Sequence, residues 1–223
     1  MDLFDLIGPV MIGPSSSHTA GAARIGSTAR TLLGEDVKKA DIALHGSFSK
    51  TYHGHGTDRA IVGGLMGMAV DDVRLRNSLE LARQSGMEVT FRTVNLRGAH
   101  PNTVELSLVG VSGQELTMQA ASVGGGNIEV HRLNGLRVDF TGKENTLIIH
   151  NKDIPGLIAN VTSCLAQQRL NIANMQVFRR TSTPGNDAVM VLELDGCPTD
   201  LMMMYLRALH GVMGVTFLMR RSC

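Results

Sequence analysis

Thr146-Leu147-Ile148-Ile149-His150-Asn151-Lys152-Asp153-Ile154-Pro155-Gly156 opens the last part of this 223-residue chain and decides how that part folds. Thr146 to His150 is a short apolar run bounded by turn residues, which predicts a buried strand. Pro155-Gly156 then makes a tight turn before an apolar helical pattern from Leu157 to Arg169, so the first free N–H groups of that helix are available to a carboxylate. Strand patterns follow over Ile172 to Arg179 and Ala188 to Leu194, a helix over Asp200 to His210, and a last strand over Val215 to Met219. The order is strand, helix, strand, strand, helix, strand.

Upstream of Thr141 to Asn145, a polar linker, the pattern differs. A helix is expected from about His18 to Leu33, with Ala22, Ile25, Ala29 and Leu32 on its packed side and Gly34 as its stop. Val37 to His45 reads as a strand, followed by a glycine-rich turn and a second helix from Thr57 or Asp58. Ala60, Ile61, Gly64, Leu65 and Met68 form that helix's packed face, its glycines permitting close backbone approach. Asp72 caps a third helix carrying Leu75, Leu79 and Ala82 and stopped by Gly86. Val104, Leu106 and Leu108 alternate with polar residues, turn at Ser112-Gly113 and resume through Leu116, Met118 and Ala120 as a half-buried hairpin. Ile128 and Val130 lead to a second hairpin at Asn134-Gly135, which returns through Leu136, Val138 and Phe140. The chain therefore reads as an α+β protein: an N-terminal α+β domain over residues 1–141, then a ferredoxin-like βαββαβ domain over residues 146–223.

With a formal net charge of +1, the chain has no broad field to draw it to nucleic acid or an anionic membrane, which leaves small ligands and protein partners. Its longest apolar stretch, Ala60 to Val70, is broken by three glycines and falls short of the roughly 20 residues that span a bilayer. Asp2 and Asp5 make the start acidic, unlike a secretory signal, so the cytoplasm is expected. The three cysteines, Cys164, Cys197 and Cys223, are odd in number and widely spaced. That excludes a disulfide framework, and Cys164 on an apolar helical face and Cys197 before a proline leave no set of thiolates for an iron–sulfur cluster.

Two histidine-bearing stretches carry the chemistry. Gly13-Pro14-Ser15-Ser16-Ser17-His18-Thr19-Ala20-Gly21 and Gly54-His55-Gly56-Thr57-Asp58 each set an imidazole and hydroxyls on a glycine-flanked turn just before a helical pattern. Unpaired helical N–H groups there suit an anion. Taken with His53, the two resemble a site for amino, carboxylate and hydroxyl groups at once, with Gly54 and Gly56 letting backbone approach a ligand beside His55. A zinc site of His45, His53 and His55 is the rival, though it lacks a carboxylate ligand and a common helix face. Gly124-Gly125-Gly126 lacks the lysine and helix of a phosphate loop and reads as a strand connection. Met202-Met203-Met204 reads as core or interface packing. His100-Pro101-Asn102 is either a structural turn or a wall of the ligand cleft. Cys223, as a terminal thiolate, is either a frayed end or a group that reaches a neighbouring cluster.

The last domain resembles the ACT family of small amino-acid-binding modules, on Asn151 to Gly156 and on Asn171-Ile172-Ala173. That resemblance implies ligand contacts at Asn151, Asp153 and Asn171, or a purely structural domain that pairs two copies by sheet extension. The N-terminal part is similar to the allosteric substrate-binding domain of some phosphoglycerate dehydrogenases. Ile12 to Gly21, Tyr52 to Asp58 and His100-Pro101-Asn102-Thr103, in that order, are similar to the beta subunit of the iron–sulfur-dependent L-serine dehydratases. This family resemblance implies a lyase subunit, inactive alone, acting with an alpha subunit that holds a 4Fe-4S cluster, and converting L-serine to pyruvate and ammonia. It implies catalytic roles at His18, His55 and Thr57, and substrate contacts at Ser15, Ser16, Ser17, Thr19 and Asp58. His55 is taken as the α-proton base, with His18 orienting substrate or cluster. Homodimerisation through the ACT domain is expected. A non-catalytic amino-acid sensor and a metal-dependent hydrolase are the alternatives.

Overall fold

The computed structural model describes residues 11, 13, 15–180 and 186–220. They form two compact units, which divide between Gly135 and Leu136. Ile12, Pro14, the acidic start at Asp2 and Asp5, and Cys223 lie outside the described residues.

In the first unit a π-helical turn, Ser16–Gly21, runs directly into helix α1, Ala22–Leu33. The serines therefore belong to the helix start rather than to a loop before it. Ser15 is the cap: its hydroxyl accepts the backbone N–H of His18 at 3.2 Å. Strand β1, Val37–His45, has the expected bounds. The glycine-rich turn expected after it is instead a helix, α2, Gly46–His55, which ends only at Gly56, whose φ of 71° is the left-handed cap. Gly54 lies within this helix at an ordinary helical φ, and one permissive glycine was not enough to break it. Helix α3, Thr57–Leu65, follows at once. After it a 3₁₀ turn, Val73–Asn77, capped by the Asp72 carboxylate, leads into α4, Ser78–Gln84.

Strands β2 (Glu88–Val94), β3 (Thr103–Gly110), β4 (Glu115–Gly124) and β5 (Asn127–Leu133) join β1 in the order β2-β1-β3-β4-β5. The β1–β2 pairing is parallel and the others antiparallel. Register brings Ala40, Leu108 and Leu116 into one row, Ile42, Leu106 and Met118 into the next, and Leu44, Val104 and Ala120 into a third. All nine are buried, because period-two alternation sends every such residue to the face that helices α1 and α2 cover. Gly124, at the end of β4, and Gly125 and Gly126, which connect it to β5, all have positive φ.

Helices α1 and α3 cross in backbone contact. A Cβ on Gly26 would lie 2.2 Å from the Ile61 carbonyl oxygen, and one on Gly64 would lie 2.1 Å from that of Ala23. The close approach expected of Gly64 is thus reciprocal, with Gly26 as its unforeseen partner.

The second unit opens with β6, Leu136–Phe140, after Asn134 (φ 48°) and Gly135 (φ 77°), both left-handed as a two-residue hairpin turn requires. Then come β7 (Asn145–Lys152), α5 (Leu157–Gln167), β8 (Ile172–Arg179), β9 (Asp187–Leu194), α6 (Asp200–Ala208) and β10 (Val212–Leu218). The sheet order is β10-β7-β9-β8, antiparallel throughout, which is the ferredoxin-like arrangement. Leu147, Ile149, Leu157, Val161, Met190, Leu192 and Leu206 make its core. Met202 and Met203 join that core, whereas Met204 stands outward, as the helical period demands. Cys164 packs half-buried against it, and burial pushes its thiol pKa up. Cys197 is exposed. Among the described residues no helix is long and apolar enough to cross a membrane.

Candidate functional site

His18 sits on the π-helical turn, a rare geometry that recurs at functional sites. Gly21 lets the turn pack closely on strand β4, since a Cβ there would lie 2.0 Å from the Ser122 hydroxyl. The imidazole of His18 is held between two hydroxyls, Ser15 Oγ at 3.4 Å from Nδ1 and Ser47 Oγ at 3.1 Å from Nε2. It also meets the ring of the fully buried Phe48 edge-on, with centroids 5.3 Å apart. Ser47 and Phe48 were missed in the sequence because Gly46 to Tyr52 did not read as a helix.

His55 is the last residue of α2, exposed, with its ring edge-on to that of His18 at a centroid distance of 4.9 Å. Its carbonyl accepts the Thr19 hydroxyl at 3.4 Å, which ties the end of α2 to the π-helical turn. His53 lies two residues earlier, about 200° round the helix, and so faces a different neighbour. Its Nδ1 is 3.0 Å from Asp58 Oδ2, and Tyr52 lies against its ring with centroids 3.9 Å apart. Asp58 itself is buried in the first turn of α3, its other oxygen accepting the Arg59 backbone N–H at 2.8 Å. A carboxylate is favoured at that positive helix end.

Thr19, Thr57 and Asp58 are all buried, and the Thr57 hydroxyl has no hydrogen-bond partner. Ser15, Ser16 and Ser17 are half-buried. His100-Pro101-Asn102 supports the site from behind: the Pro101 carbonyl accepts the Ser47 N–H at 2.7 Å, and Pro101 is not among the residues lining the cleft described next. His45 is turned to backbone, its Nδ1 lying 3.1 Å from the Leu96 N–H, so it does not converge with His53 and His55. Among the described residues no three histidine, cysteine or acidic side chains come together to hold a metal. Among the described residues the donor set does not fit an iron–sulfur cluster: Cys164 packs half-buried against the core of the second unit, and Cys197 is on its surface.

A cleft of about 470 Å³ opens beside the two imidazoles, lined by Thr19, His53, His55, Arg59, Arg76 and Asn77 among others. That volume is in the range of small-molecule sites. Arg59 and Arg76 were not legible as site residues, because single arginines on helical segments ordinarily face solvent.

In the second unit, Asn151 is buried, with Nδ2 donating to the Lys152 carbonyl at 2.7 Å and Oδ1 without a partner. Asp153 is ion-paired with Arg179 at the end of β8. Asn171 precedes the start of the same strand and donates to Asp195 at 2.6 Å. Within one chain, therefore, Asn151 and Asp153 are neighbours and Asn171 is a strand's length away.

Burial, and then the charge of His55, lowers the pKa of His18; burial likewise lowers that of His150. The unfolded rings take up a proton near pH 6.5, whereas the folded ones resist it. Stability is therefore complete above about pH 6.5 and falls as pH drops from there through the lower folded values. Thermal melts between pH 7.5 and 5.5 should show this decline, and His18→Gln and His150→Gln should each flatten it. An unchanged pH slope in both variants would contradict the assignment.

The model of the family described as "Serine dehydratase beta chain" matches residues 1–85. Over 214 residues the chain is 40% identical to the probable L-serine dehydratase beta chain of Bacillus subtilis, covering 96% of each. It is 37% identical over 193 residues to the L-serine dehydratase beta chain of Peptoniphilus asaccharolyticus, covering 86% of each. A D-3-phosphoglycerate dehydrogenase of Bacillus subtilis is 25% identical over 175 residues, 78% of this chain and 33% of that one. Among solved structures, the ACT domain from the GTP pyrophosphokinase of Chlorobium tepidum is similar at a TM-score of 0.26 and 19% identity, covering 33% of this chain and 95% of that one.

Proposed function

The chain belongs to the serine dehydratase beta-chain family, and on that premise we propose that it is the beta subunit of an L-serine ammonia-lyase that makes pyruvate and ammonia with an alpha subunit. In this reading residues 1–141 are the dehydratase beta domain and residues 146–223 an ACT domain that binds an amino acid or pairs two copies. The 4Fe-4S cluster belongs to the alpha subunit, and the complex works in the cytoplasm.

The observation that carries the reading is the His18–His55 pair. One imidazole is locked between hydroxyls and the other is exposed at a helix end, an arrangement that can present one fixed and one accessible base to a docked substrate. His55 takes the α-proton of L-serine. The β-hydroxyl then leaves with its bonding electrons and takes back the proton held on His55, departing as water and leaving aminoacrylate, whose imine tautomer is hydrolysed by water to pyruvate and ammonia. His18 positions His55 and the substrate, and its lowered pKa keeps it neutral, so it adds no second positive charge beside the base. Ser15, Ser16, Ser17 and Thr19 are the proposed substrate contacts at the helix start. Thr57 and Asp58, buried in the first turn of α3, complete the set.

Anaerobic co-expression with the alpha chain, followed by a pyruvate assay, tests this. Turnover is expected only from the purified pair. Pyruvate from this chain alone, or none from an intact complex, would overturn the proposal.

A further inference from the structure

Among the described residues the cleft beside His55 is lined by four cationic or imidazole side chains, His53, His55, Arg59 and Arg76, and by no acidic one. Neither Arg59 nor Arg76 has a carboxylate partner among the described residues. Nearby arginines behave differently: Arg74 is paired with Asp72 and Arg83 with Glu80. Two guanidiniums without a carboxylate partner on one concave surface are free to meet an entering anion. His53 is not a loose surface group either. The buried Asp58 carboxylate holds its Nδ1, which fixes the ring and leaves Nε2 as the nitrogen free to meet a ligand. Asn77 adds an amide at the rim.

We propose that Arg59, Arg76 and the Asp58-held His53 form a carboxylate cradle that takes the α-carboxylate of the free amino-acid substrate, a role that rests on the function proposed above. Guanidinium forks match a carboxylate in shape as well as charge, and such charge-assisted bonds are the strong ones. His55 lines the same cleft, so a carboxylate held by the cradle would keep the adjacent α-carbon in the cavity that the base borders. Helix α3 contributes in two ways, since Asp58 orients His53 and the next residue supplies a guanidinium.

The test is isothermal titration of the full chain alone with L-serine and with ethanolamine, which keeps the hydroxyl and amine but lacks the carboxylate. L-serine should bind and ethanolamine should not. Arg59→Gln and Arg76→Gln should each weaken L-serine at least tenfold, with unchanged melting temperatures because both side chains are exposed, and Arg76→Lys should recover part of the loss. Absence of L-serine binding, equal binding of ethanolamine, or full affinity in both glutamine variants would overturn the cradle. The catalytic reading is judged separately by pyruvate formation in the two-chain complex. Turnover there without binding here removes the cradle alone; binding here without turnover there removes the catalytic reading and leaves the carboxylate site standing.

Discussion

Replacing His55 by alanine is expected to lower pyruvate formation by the two-chain enzyme by about 10²–10⁴-fold, the usual contribution of a positioned general base. The fold should not suffer. His55 is exposed, its ring contact is an edge against His18, and its tie to the π-helical turn runs through its backbone carbonyl, which alanine keeps. Surface changes of this kind usually stay within about 0.5 kcal/mol of the parent. The same variant should move His18 in a stated direction: with the charge of His55 gone, the His18 pKa rises, while burial still holds it below the ordinary imidazole value. Ring-proton titration by NMR would read that shift independently of turnover. Full activity in the variant would remove His55 from the reaction.

Gly64→Ala should be the most damaging small substitution in the first unit. The added methyl would lie 2.1 Å from the Ala23 carbonyl oxygen and 2.8 Å from the Ser27 nitrogen, both backbone atoms of α1 that no rotamer change can move aside. The helices must separate, opening gaps around buried Ala23, Ile25 and Ile61. Overpacking of this kind costs about 1–3 kcal/mol or more, and here it opposes the roughly 1 kcal/mol that alanine gains over glycine inside a helix. We expect a net loss of about 2 kcal/mol in denaturant unfolding. Gly26→Ala should behave alike, and the double variant should cost less than the sum, because the first methyl already forces the separation that the second needs. Gly54→Ala is the control: it has open space at its Cβ and an ordinary helical φ, so it should be neutral or stabilising. A stable Gly64→Ala protein would mean that the two helices are not in backbone contact.

Much of this architecture is local and so was readable. Strand β1 has the bounds its pattern predicts, the βαββαβ unit follows from apolar periods and the Pro155-Gly156 turn, and Asn134-Gly135 takes the left-handed conformation its dipeptide predicts. The helix over Gly46–His55 was hidden by its two glycines and its low apolar content, for only Phe48 is buried in it. That omission mattered for the site. Treated as a turn, the segment offered His53 and His55 as one cluster; as a helix, it sends them to different neighbours, Asp58 and His18.

Residue type, turn chemistry and spacing are properties of neighbours in the chain, and they were enough for most of the elements and for the fold class. Which side chains meet depends instead on how elements far apart in sequence are packed. Ser47 reaches His18 across 29 positions, and Arg59 and Arg76 share a cleft only because the 3₁₀ turn lies beside α3. Gly26 faces Gly64 for the same reason. No periodicity encodes such pairings, because close packing selects them from contacts between whole surfaces.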